Sequence, residues 1–273
     1  MNHADDQLNA FATWERQVWE TRAASYAKSI TALTRGAADA LLDAADVTAG
    51  TELLDAGCGP GVVGLAAQRR GAEVTAVDQS EAMVALARSA GVDARQAGAD
   101  QLPFETGTFD AAVAGFLINH LPRPVEGVGE LARVSKARVA VSVWDAPDAN
   151  PALGLFGRVV QSFDLADPIP PGPDNSLYSD DGRLTALLAA AGLADIRITR
   201  MAWALTVEPG AWFDAVAAGT PRTGGVLAAA SVERRAEVRE LYVETASGAY
   251  AGPDGLVTLP AAAVIASGAR PHE

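Results

Sequence analysis

A cluster of glycines between an apolar segment and a helical one limits the possible folds of this chain more than any other part of the sequence. Residues 53–61 are Leu-Leu-Asp-Ala-Gly-Cys-Gly-Pro-Gly, so Gly57, Gly59 and Gly61 follow directly on a short strand candidate. Glycine lets the backbone turn tightly beside a ligand, and the unpaired amides at a helix start are available to acceptor atoms. The pattern predicts a strand–loop–helix unit that binds a ligand.

The spacing of these glycines separates the loop from two common nucleotide-binding loops. A dinucleotide-binding loop has the pattern G-x-G-x-x-G, and Val62 stands where its third glycine would be. A phosphate-binding P-loop ends in Gly-Lys-Ser/Thr, which this segment lacks. We therefore expect a nucleoside ligand without a pyrophosphate, which argues against a nicotinamide-dependent oxidoreductase.

An acidic residue stands at the end of the next predicted strand, because Asp78 follows residues 73–77 directly. In an open α/β sheet the carboxyl ends of the strands face the ligand crevice, where a carboxylate accepts hydrogen bonds from both ribose hydroxyls. Asp78 is also suited to cap the helix that follows it. Since the glycine loop lies about 20 residues upstream, the ribose role is the favoured interpretation.

Strand-like and helix-like segments alternate after residue 50, which predicts an α/β fold with a mainly parallel sheet covered on both faces. The predicted strands are residues 51–55, 73–77, 92–96, 109–115, 138–144 and 194–201, with a terminal strand formed by 257–260 and 262–267.

The same pattern divides the chain into three parts. Residues 1–49 form a helical cap segment, residues 50–145 form the ligand-binding core, and residues 146–273 complete the sheet. Two insertions extend the cap. Residues 146–179 are rich in Pro, Asp and Gly around one apolar helix at 153–163, and residues 208–247 are predicted as helical from apolar residues at helical spacing.

The composition limits the kind of partner. A formal net charge of −13 argues against a nucleic-acid partner, because nucleic acids are bound mainly through cationic side chains. The sequence has no run of about 18 apolar residues, so we expect no membrane span, and its first residues lack the pattern of a signal peptide. The only cysteine, Cys58, is consistent with a reducing, cytoplasmic location.

Four motifs in order resemble those of the class I S-adenosylmethionine-dependent methyltransferases, in the methyltransferase type 11 branch of ubiquinone/menaquinone-methyltransferase-like enzymes. They are Leu-Asp-Ala-Gly-Cys-Gly-Pro-Gly at 54–61, Ala-Val-Asp-Gln-Ser at 76–80, Ala-Asp-Gln-Leu-Pro-Phe at 99–104 and the segment 109–121. The resemblance implies a Rossmann-like seven-stranded sheet, with six parallel strands and an antiparallel last strand, and a helical cap. It also implies the cofactor S-adenosyl-L-methionine, with S-adenosyl-L-homocysteine as product.

The resemblance also implies which residues bind the cofactor. The glycines approach its methionine and ribose parts, Asp78 takes the ribose hydroxyls, and the other residues surround the adenine or close the site. Members of the family often have Asp or Asn before the alanine at 99, and Gly98 stands there, so Asp100 or a backbone carbonyl is expected to contact the adenine amino group. The full set is Tyr26, Asp55, Gly57, Gly59, Gly61, Asp78, Gln79, Met83, Ala99, Asp100 and Phe116.

Candidates for catalysis and acceptor binding are fewer. His120 follows the fourth predicted strand and is the candidate general base, although capping or packing of the next turn would equally explain it. The other two histidines, His3 and His272, lie near the chain ends, and no cluster with metal-ligand spacing is present, so no metal is expected. The candidate acceptor-binding residues, each also suited to core packing, are Trp144, Asp145, Tyr178, Trp203 and Trp212.

These features together predict an S-adenosylmethionine-dependent methyltransferase that acts on a small organic molecule, with methylation at oxygen or carbon favoured over nitrogen. Two alternatives stay open on the sequence alone. One is an enzyme that binds the same cofactor and catalyses a cyclisation or a decarboxylation, and the other is a non-catalytic binding subunit.

Overall fold

A computed structural model describes the backbone of residues 3–172, 174 and 177–271, and their side chains from Asp6 onward. The described residues contain seven strands that form one sheet. In chain order they are β1 (Glu52–Ala56), β2 (Glu73–Asp78), β3 (Asp93–Gln96), β4 (Phe109–Gly115), β5 (Ser135–Trp144), β6 (Ala194–Val207) and β7 (Val257–Ala269).

Helices cover both faces of the sheet and build a cap above its carboxyl edge. No helix among the described residues is both long and apolar enough to cross a membrane. The α-helices are α1 (His3–Lys28), α2 (Thr31–Thr34), α3 (Ala38–Ala44), α4 (Val62–Arg69), α5 (Glu81–Ser89), α6 (Pro124–Val134), α7 (Pro151–Gln161), α8 (Asp181–Ala190), α9 (Pro209–Gly219), α10 (Arg222–Ala229) and α11 (Val232–Ala249).

The sheet has the strand order β3-β2-β1-β4-β5-β7-β6. β7 runs antiparallel to both of its neighbours, whereas β1 to β5 pair in parallel, so β6 points in the same direction as they do. The predicted fold class, with six parallel strands and an antiparallel last strand, is confirmed. The carboxyl ends of β1, β2, β4 and β5 therefore meet at one edge, where the motif residues lie.

The last two strands are longer than predicted. β6 extends to Val207, and β7 is continuous through Pro260, because the two strands pair along their whole length from Ala194 opposite Ala269 to Val207 opposite Val257. Proline interrupts a ladder only where its missing N–H would be needed. Pro260 is tolerated because β5 pairs only with residues 263–269 of β7, beyond the proline.

Two segments that were predicted as helical consist of several shorter helices. The first, the cap segment 1–49, contains α1, α2, a 3-10 turn (Arg35–Ala37) and α3. The second, residues 208–247, forms α9, α10 and α11, with breaks at Pro221 and at Ser231. Ser231 starts a new helix because its side chain accepts a hydrogen bond from the Arg234 amide at 3.2 Å.

The cap has a core of its own, separate from the core beneath the sheet. Leu131, Val141 and Leu184 are buried between the sheet and the helices α6 and α8. Phe156 and Tyr242, from α7 and α11, are fully buried in the cap together with neighbouring apolar residues of α9. Burial of each such side chain contributes about 1.5–3 kcal/mol, so the cap is a packed layer rather than a loose cover.

Helix α1 joins the cap to the core through charged side chains near its carboxyl end. Glu20 accepts hydrogen bonds from the Ser80 hydroxyl at 2.6 Å and from the Ala82 amide at 3.1 Å, at the start of α5. Arg22 donates to two carbonyl oxygens in the last turn of α9, both at 2.9 Å. An acid at a helix start and a base at a helix end are each favoured by the helix dipole, so α1 is held from both sides.

Candidate functional site

The three glycines of the loop after β1 all have positive φ, at +66°, +52° and +88° for Gly57, Gly59 and Gly61. Gly61 is the left-handed residue immediately before α4. A Cβ at position 57 would lie 2.6 Å from Leu117 Cδ1, whereas a Cβ at position 59 would have only Tyr26 Cε1, at 4.0 Å, within reach. The backbone at Gly59 therefore faces open space that a side chain would fill.

Asp78, at the end of β2, is buried and supports this loop directly. Its Oδ2 accepts a hydrogen bond from the Gly59 amide and its Oδ1 accepts one from the Ser80 amide, both at 2.9 Å. Burial raises the pKa of Asp78, the two amide hydrogen bonds oppose that rise, and Glu20 adds to it. The alternative that Asp78 caps α5 is wrong, since Ser80 is the capping residue and accepts from the Met83 amide.

Asp55 lies beneath the loop and holds the first turn of α4. Its Oδ2 accepts a hydrogen bond from the Gly64 amide at 3.0 Å, and Oδ1 has no hydrogen-bond partner among the described residues. Burial raises the pKa of Asp55 to about 7, and the charge of Asp78 adds to the rise. Asp55 lines a small cavity of about 40 Å³ that it shares with Tyr26 and Ser142.

A larger cavity of about 930 Å³ lies above the loop, between the sheet edge and the cap. Most of the residues expected to bind cofactor or acceptor line it, although they come from both the N-terminal helix and the carboxyl ends of several strands. Those residues are Tyr26, Gly57, Gly59, Asp78, Gln79, Met83, Ala99, Asp100, Phe116, His120, Trp144 and Asp145. Asp55 and Gly61 do not line it, since Asp55 lies beneath the loop and Gly61 faces Val92 and Ala87.

Gly98 stands where members of the family often have Asp or Asn, and the structure shows why a glycine suits this position. A Cβ at position 98 would lie 2.6 Å from Asp100 Oδ1, so a side chain there would displace the Asp100 carboxylate. Gly98, Ala99 and Asp100 all line the large cavity. The glycine therefore makes room for an acid two residues later, at the end of the cavity that also contains Gln79 and Met83.

Phe116, immediately after β4, has the left-handed backbone conformation that non-glycine residues rarely adopt, with φ +56°. Its amide donates to the carbonyl oxygen of Ser142 at 3.0 Å and to the Ser142 hydroxyl at 3.1 Å, which holds the strained backbone in place. The Phe116 ring stacks on Trp144, with ring centroids 3.9 Å apart and planes inclined by 19°. The pair forms an aromatic wall of the cavity.

His120 lies opposite this wall, in the 3-10 turn Ile118–His120, and is paired with an acid that the sequence analysis did not identify. Its Nδ1 lies 3.2 Å from Oε1 of Glu15, whose side chain is 1% exposed. Trp19 packs edge-on against the imidazole, with ring centroids 5.2 Å apart. Arg222 Nε lies 4.0 Å from the same Glu15 oxygen, and its guanidinium stands 4.8 Å above the Phe11 ring.

The sequence contains one pattern that indicates a special role for Glu15. Phe11, Glu15 and Trp19 are spaced four residues apart and therefore lie on one face of α1. A lone acid between two aromatic residues on the buried face of a helix indicates a paired or functional carboxylate. Its partners His120 and Arg222 are more than 100 residues away in sequence and have no comparable local signal.

Three of the expected acceptor-binding residues do not line the cavity, and their assignment is corrected here. Trp212 is buried in the cap core, where Nε1 donates to the Ala152 carbonyl at 2.8 Å. Trp203 lies behind Trp144, and its ring covers Gly36 so closely that a Cβ there would be 2.5 Å away. Tyr178 packs against the core beneath the sheet.

Asp145 lines the cavity, but its charge is already paired. Its Oδ1 accepts a hydrogen bond from Arg200 of β6 at 3.0 Å, and Arg200 also pairs with Asp181 at 2.7 Å. Asp145 therefore fixes the end of β5 to β6 and, through Arg200, to the start of α8. No three His, Cys, Asp or Glu side chains are grouped so as to hold a metal ion within the described part of the chain, and His272 and the side chain of His3 lie outside it.

The chemistry of the site fits S-adenosylmethionine. The backbone at Gly59 offers an open cradle, and the buried Asp78 carboxylate has lone pairs left for hydroxyl donors. The Asp55 oxygen without a partner provides a buried acceptor beneath the loop, of the kind that a ligand ammonium or an ordered water satisfies. Each of these groups suits a nucleoside with an amino-acid side chain.

Comparison with known proteins agrees with this fit. A family model described as a methyltransferase domain matches residues 54–141. An uncharacterized protein of Mycobacterium bovis is 28% identical over 211 residues, which cover 74% of this chain and 73% of that protein. A ubiquinone biosynthesis O-methyltransferase of Xanthomonas oryzae pv. oryzae is 31% identical over 165 residues, 57% of this chain and 68% of the relative.

Solved structures share the fold. The YcgJ protein from Bacillus subtilis aligns with a TM-score of 0.57 at 20% identity, covering 87% of this chain and 99% of that one. Three findings agree on the family of this chain: the motif order, the sheet topology and the sequence relatives. The chain belongs to the class I S-adenosylmethionine-dependent methyltransferases, in the branch that includes the ubiquinone biosynthesis O-methyltransferases.

Proposed function

We propose that this methyltransferase modifies a small organic acceptor, at a hydroxyl oxygen or an activated carbon, inside the large cavity. The observation that carries the proposal is the continuity of that cavity, which joins the glycine loop and Asp78 to His120 and the stacked rings of Phe116 and Trp144. Its volume of about 930 Å³ lies at the upper end of the range for small-molecule sites, roughly 300–1,000 Å³, so it has room for a cofactor and an acceptor together.

We assign one end of the cavity to the cofactor. Asp78 takes the ribose hydroxyls, Gln79 and Met83 flank the adenine, and Ala99 and Asp100 contact its amino group. The remaining proposed cofactor residues surround the methionine part, and they are Tyr26, Asp55, Gly57, Gly59, Gly61 and Phe116. Support comes from the exposed backbone at Gly59 and from the space that Gly98 leaves for Asp100.

We assign the other end to the acceptor, with His120 as general base and Trp144 as an apolar wall. Bound S-adenosylmethionine supplies an electrophilic methyl group, so the protein has to position a nucleophile and take up its proton. Two observations support the role of His120: it lines the cavity, and its Nδ1 already has a carboxylate partner. Asp145 borders the acceptor but acts as a structural anchor, because Arg200 neutralises it.

The acceptor assignment is tested by incubating the protein with S-adenosylmethionine and a panel of small phenols, enols and amines, and measuring the release of S-adenosylhomocysteine. We expect methyl transfer to hydroxyl or carbon acceptors and little to amines. Preferential methylation of amines, or consumption of an acceptor without release of S-adenosylhomocysteine, would contradict the proposal.

The ribose assignment predicts that Asp78→Ala weakens S-adenosylmethionine binding about 100-fold in calorimetric titration, since hydrogen bonds to a buried charged acceptor are each worth roughly 1.5–3 kcal/mol. The matched control is Asp110→Ala. Asp110 also accepts a backbone hydrogen bond, from the Glu52 amide at 3.0 Å, but it is exposed at the far edge of the sheet. Equal affinities in the two variants would remove Asp78 from the cofactor site.

A further inference from the structure

The carboxylate partner of His120 is buried in the cavity wall. Glu15 is 1% exposed, its Oε1 faces His120 Nδ1 at 3.2 Å, and its Oε2 has no hydrogen-bond partner among the described residues. Taking a carboxylate out of water is costly unless it is paired, so a carboxylate kept in this position has to be compensated by the groups around it. His120 is the nearest of these groups.

The imidazole of His120 has two distinct ring nitrogens. Nδ1 faces the Glu15 carboxylate, which accepts hydrogen bonds only, so Nδ1 has to be the donor. Nε2 has no hydrogen-bond partner in the part of the chain that the structure describes, although the residue lines the cavity. A neutral imidazole with its proton on Nδ1 leaves Nε2 as a proton acceptor.

We propose that Glu15 is the positioning residue of this methyltransferase: it fixes His120 in the tautomer that is protonated on Nδ1 and stabilises the imidazolium that forms when Nε2 takes a proton from the acceptor. The proposal rests on the function proposed above. It also favours an acceptor with an acidic hydroxyl, such as a phenol or an enol, since such a hydroxyl must release its proton as its oxygen is methylated and Nε2 can take that proton up.

The acceptor hydroxyl gives its proton to Nε2 of His120 while its oxygen becomes bonded to the methyl carbon, and the electron pair of the broken carbon–sulfur bond stays on sulfur. The positive charge of the sulfonium is thereby replaced by the positive charge of the imidazolium. Glu15 lies in contact with that imidazolium and compensates it.

Other charged groups near His120 determine how large this effect is. Arg222 Nε lies 4.0 Å from Glu15 Oε1 and competes for its charge, whereas Asp174 and Asp167 interact electrostatically with Arg222. Asp78 also interacts electrostatically with His120. Glu15 is the group that faces His120 Nδ1 at hydrogen-bond distance, so it discriminates between the two ring nitrogens.

The first test reads the tautomer directly. With three histidines in the chain, His120 can be assigned in a nitrogen-15 NMR spectrum by comparison with His120→Ala. We expect the neutral wild-type ring to carry its proton on Nδ1, and Glu15→Met, which keeps the length but removes the acceptor, to lose that preference. A wild-type ring protonated on Nε2 would overturn the proposal whether or not any activity is known.

The second test uses kinetics with a phenolic acceptor. Glu15→Gln keeps a hydrogen-bond acceptor but removes the charge, so we expect kcat to fall tenfold or more. The acceptor KM and the affinity for S-adenosylmethionine should each change less than twofold. An unchanged kcat would refute the role of Glu15.

A variant on the same helix separates this role from simple docking of α1. Glu20→Gln loosens the contact of α1 with Ser80 but leaves Glu15 in place, so it should change cofactor affinity and not the NMR signal of His120. If it moves that signal as much as Glu15→Met does, helix displacement is the cause and the proposal fails. If His120→Ala keeps full activity while the tautomer is as expected, the general base of the proposed function fails instead.

Discussion

The two ends of the large cavity are built in different ways. At the cofactor end, backbone amides and buried carboxylates are locked to one another: Asp78 binds the amides of Gly59 and Ser80, and Asp55 binds that of Gly64. At the acceptor end, the wall consists of side chains on separate helices and turns, such as Trp19, Glu15 and Arg222. The first end is held by hydrogen bonds between carboxylates and backbone amides, and the second by the docking of whole elements.

The two ends should therefore tolerate amino-acid substitutions to different degrees. Backbone-built sites allow few alternatives, because each glycine conformation and each carboxylate is fixed by its neighbours. A side-chain wall can be repacked one residue at a time without disturbing the loop. We therefore expect substitutions at the cofactor end to abolish binding, and substitutions at the acceptor end to alter which molecule is methylated.

The largest effect that this comparison predicts is that of Gly59→Val. The valine would need the strained φ of +52° and would project into the cradle toward Tyr26, so calorimetry should detect no S-adenosylmethionine binding, a loss of about 1,000-fold or more. Gly91→Val is the matched control, since Gly91 also has positive φ, +95°, but faces open space after α5. If both variants bind alike, backbone strain rather than the cradle explains the loss.

A smaller effect is expected from Asp55→Asn, and it depends on pH. Burial raises the pKa of Asp55 to about 7, so the folded protein prefers the protonated acid and loses stability as pH rises from about 4 through 7. The variant removes this ionisation and should gain about 2–3 kcal/mol of unfolding free energy relative to wild type between pH 5 and pH 8. Denaturant unfolding without ligand measures it, and a pH-independent difference would contradict the assignment.

Asp55→Asn also tests whether Asp55 contacts the amino group of the cofactor. If Asp55 meets the ligand amino group, the cation favours the carboxylate, so saturating S-adenosylmethionine should stabilise the wild type more than Asp55→Asn at pH 8. Equal stabilisation of both proteins would place Asp55 outside the cofactor contacts and leave it as a support for Gly64 alone.

The smallest expected effects distinguish Trp212 from Trp144, two residues that the sequence analysis predicted to have the same role. Trp212→Phe loses the hydrogen bond to Ala152 and should cost about 1–2 kcal/mol of unfolding free energy without changing the acceptor KM. Trp144→Phe keeps an aromatic ring against Phe116 in the cavity wall and should change the acceptor KM severalfold at nearly constant stability. The reverse pattern would show that the acceptor lies in the cap core.

The sequence predicted the cofactor end far better than the acceptor end, for a physical reason. Gly57, Gly59 and Asp78 lie within about 20 residues of one another, so their chemistry and spacing are visible in one stretch of chain. The Glu15–His120 pair joins residues 105 positions apart, and only the tertiary fold brings them together. Local patterns encode local geometry, and no local pattern specifies a pairing at that distance.

The errors have equally specific causes. Trp212 has the size and polarity of a ligand-contacting residue, but its indole N–H is satisfied by the Ala152 carbonyl inside the cap. The sixth strand was predicted to end at residue 201, whereas pairing with β7 continues it to Val207. In both cases tertiary contacts decided between structures that the local sequence allows.

The attachment of α1 has a measurable consequence. Helix α1 supplies Glu15, Trp19 and Tyr26 to the cavity wall and is held to α5 by Glu20 and to α9 by Arg22. A ligand that fills the cavity adds contacts to this helix, so hydrogen exchange of the α1 amides should slow when cofactor or product is bound. The same amides would then report whether the cavity is occupied.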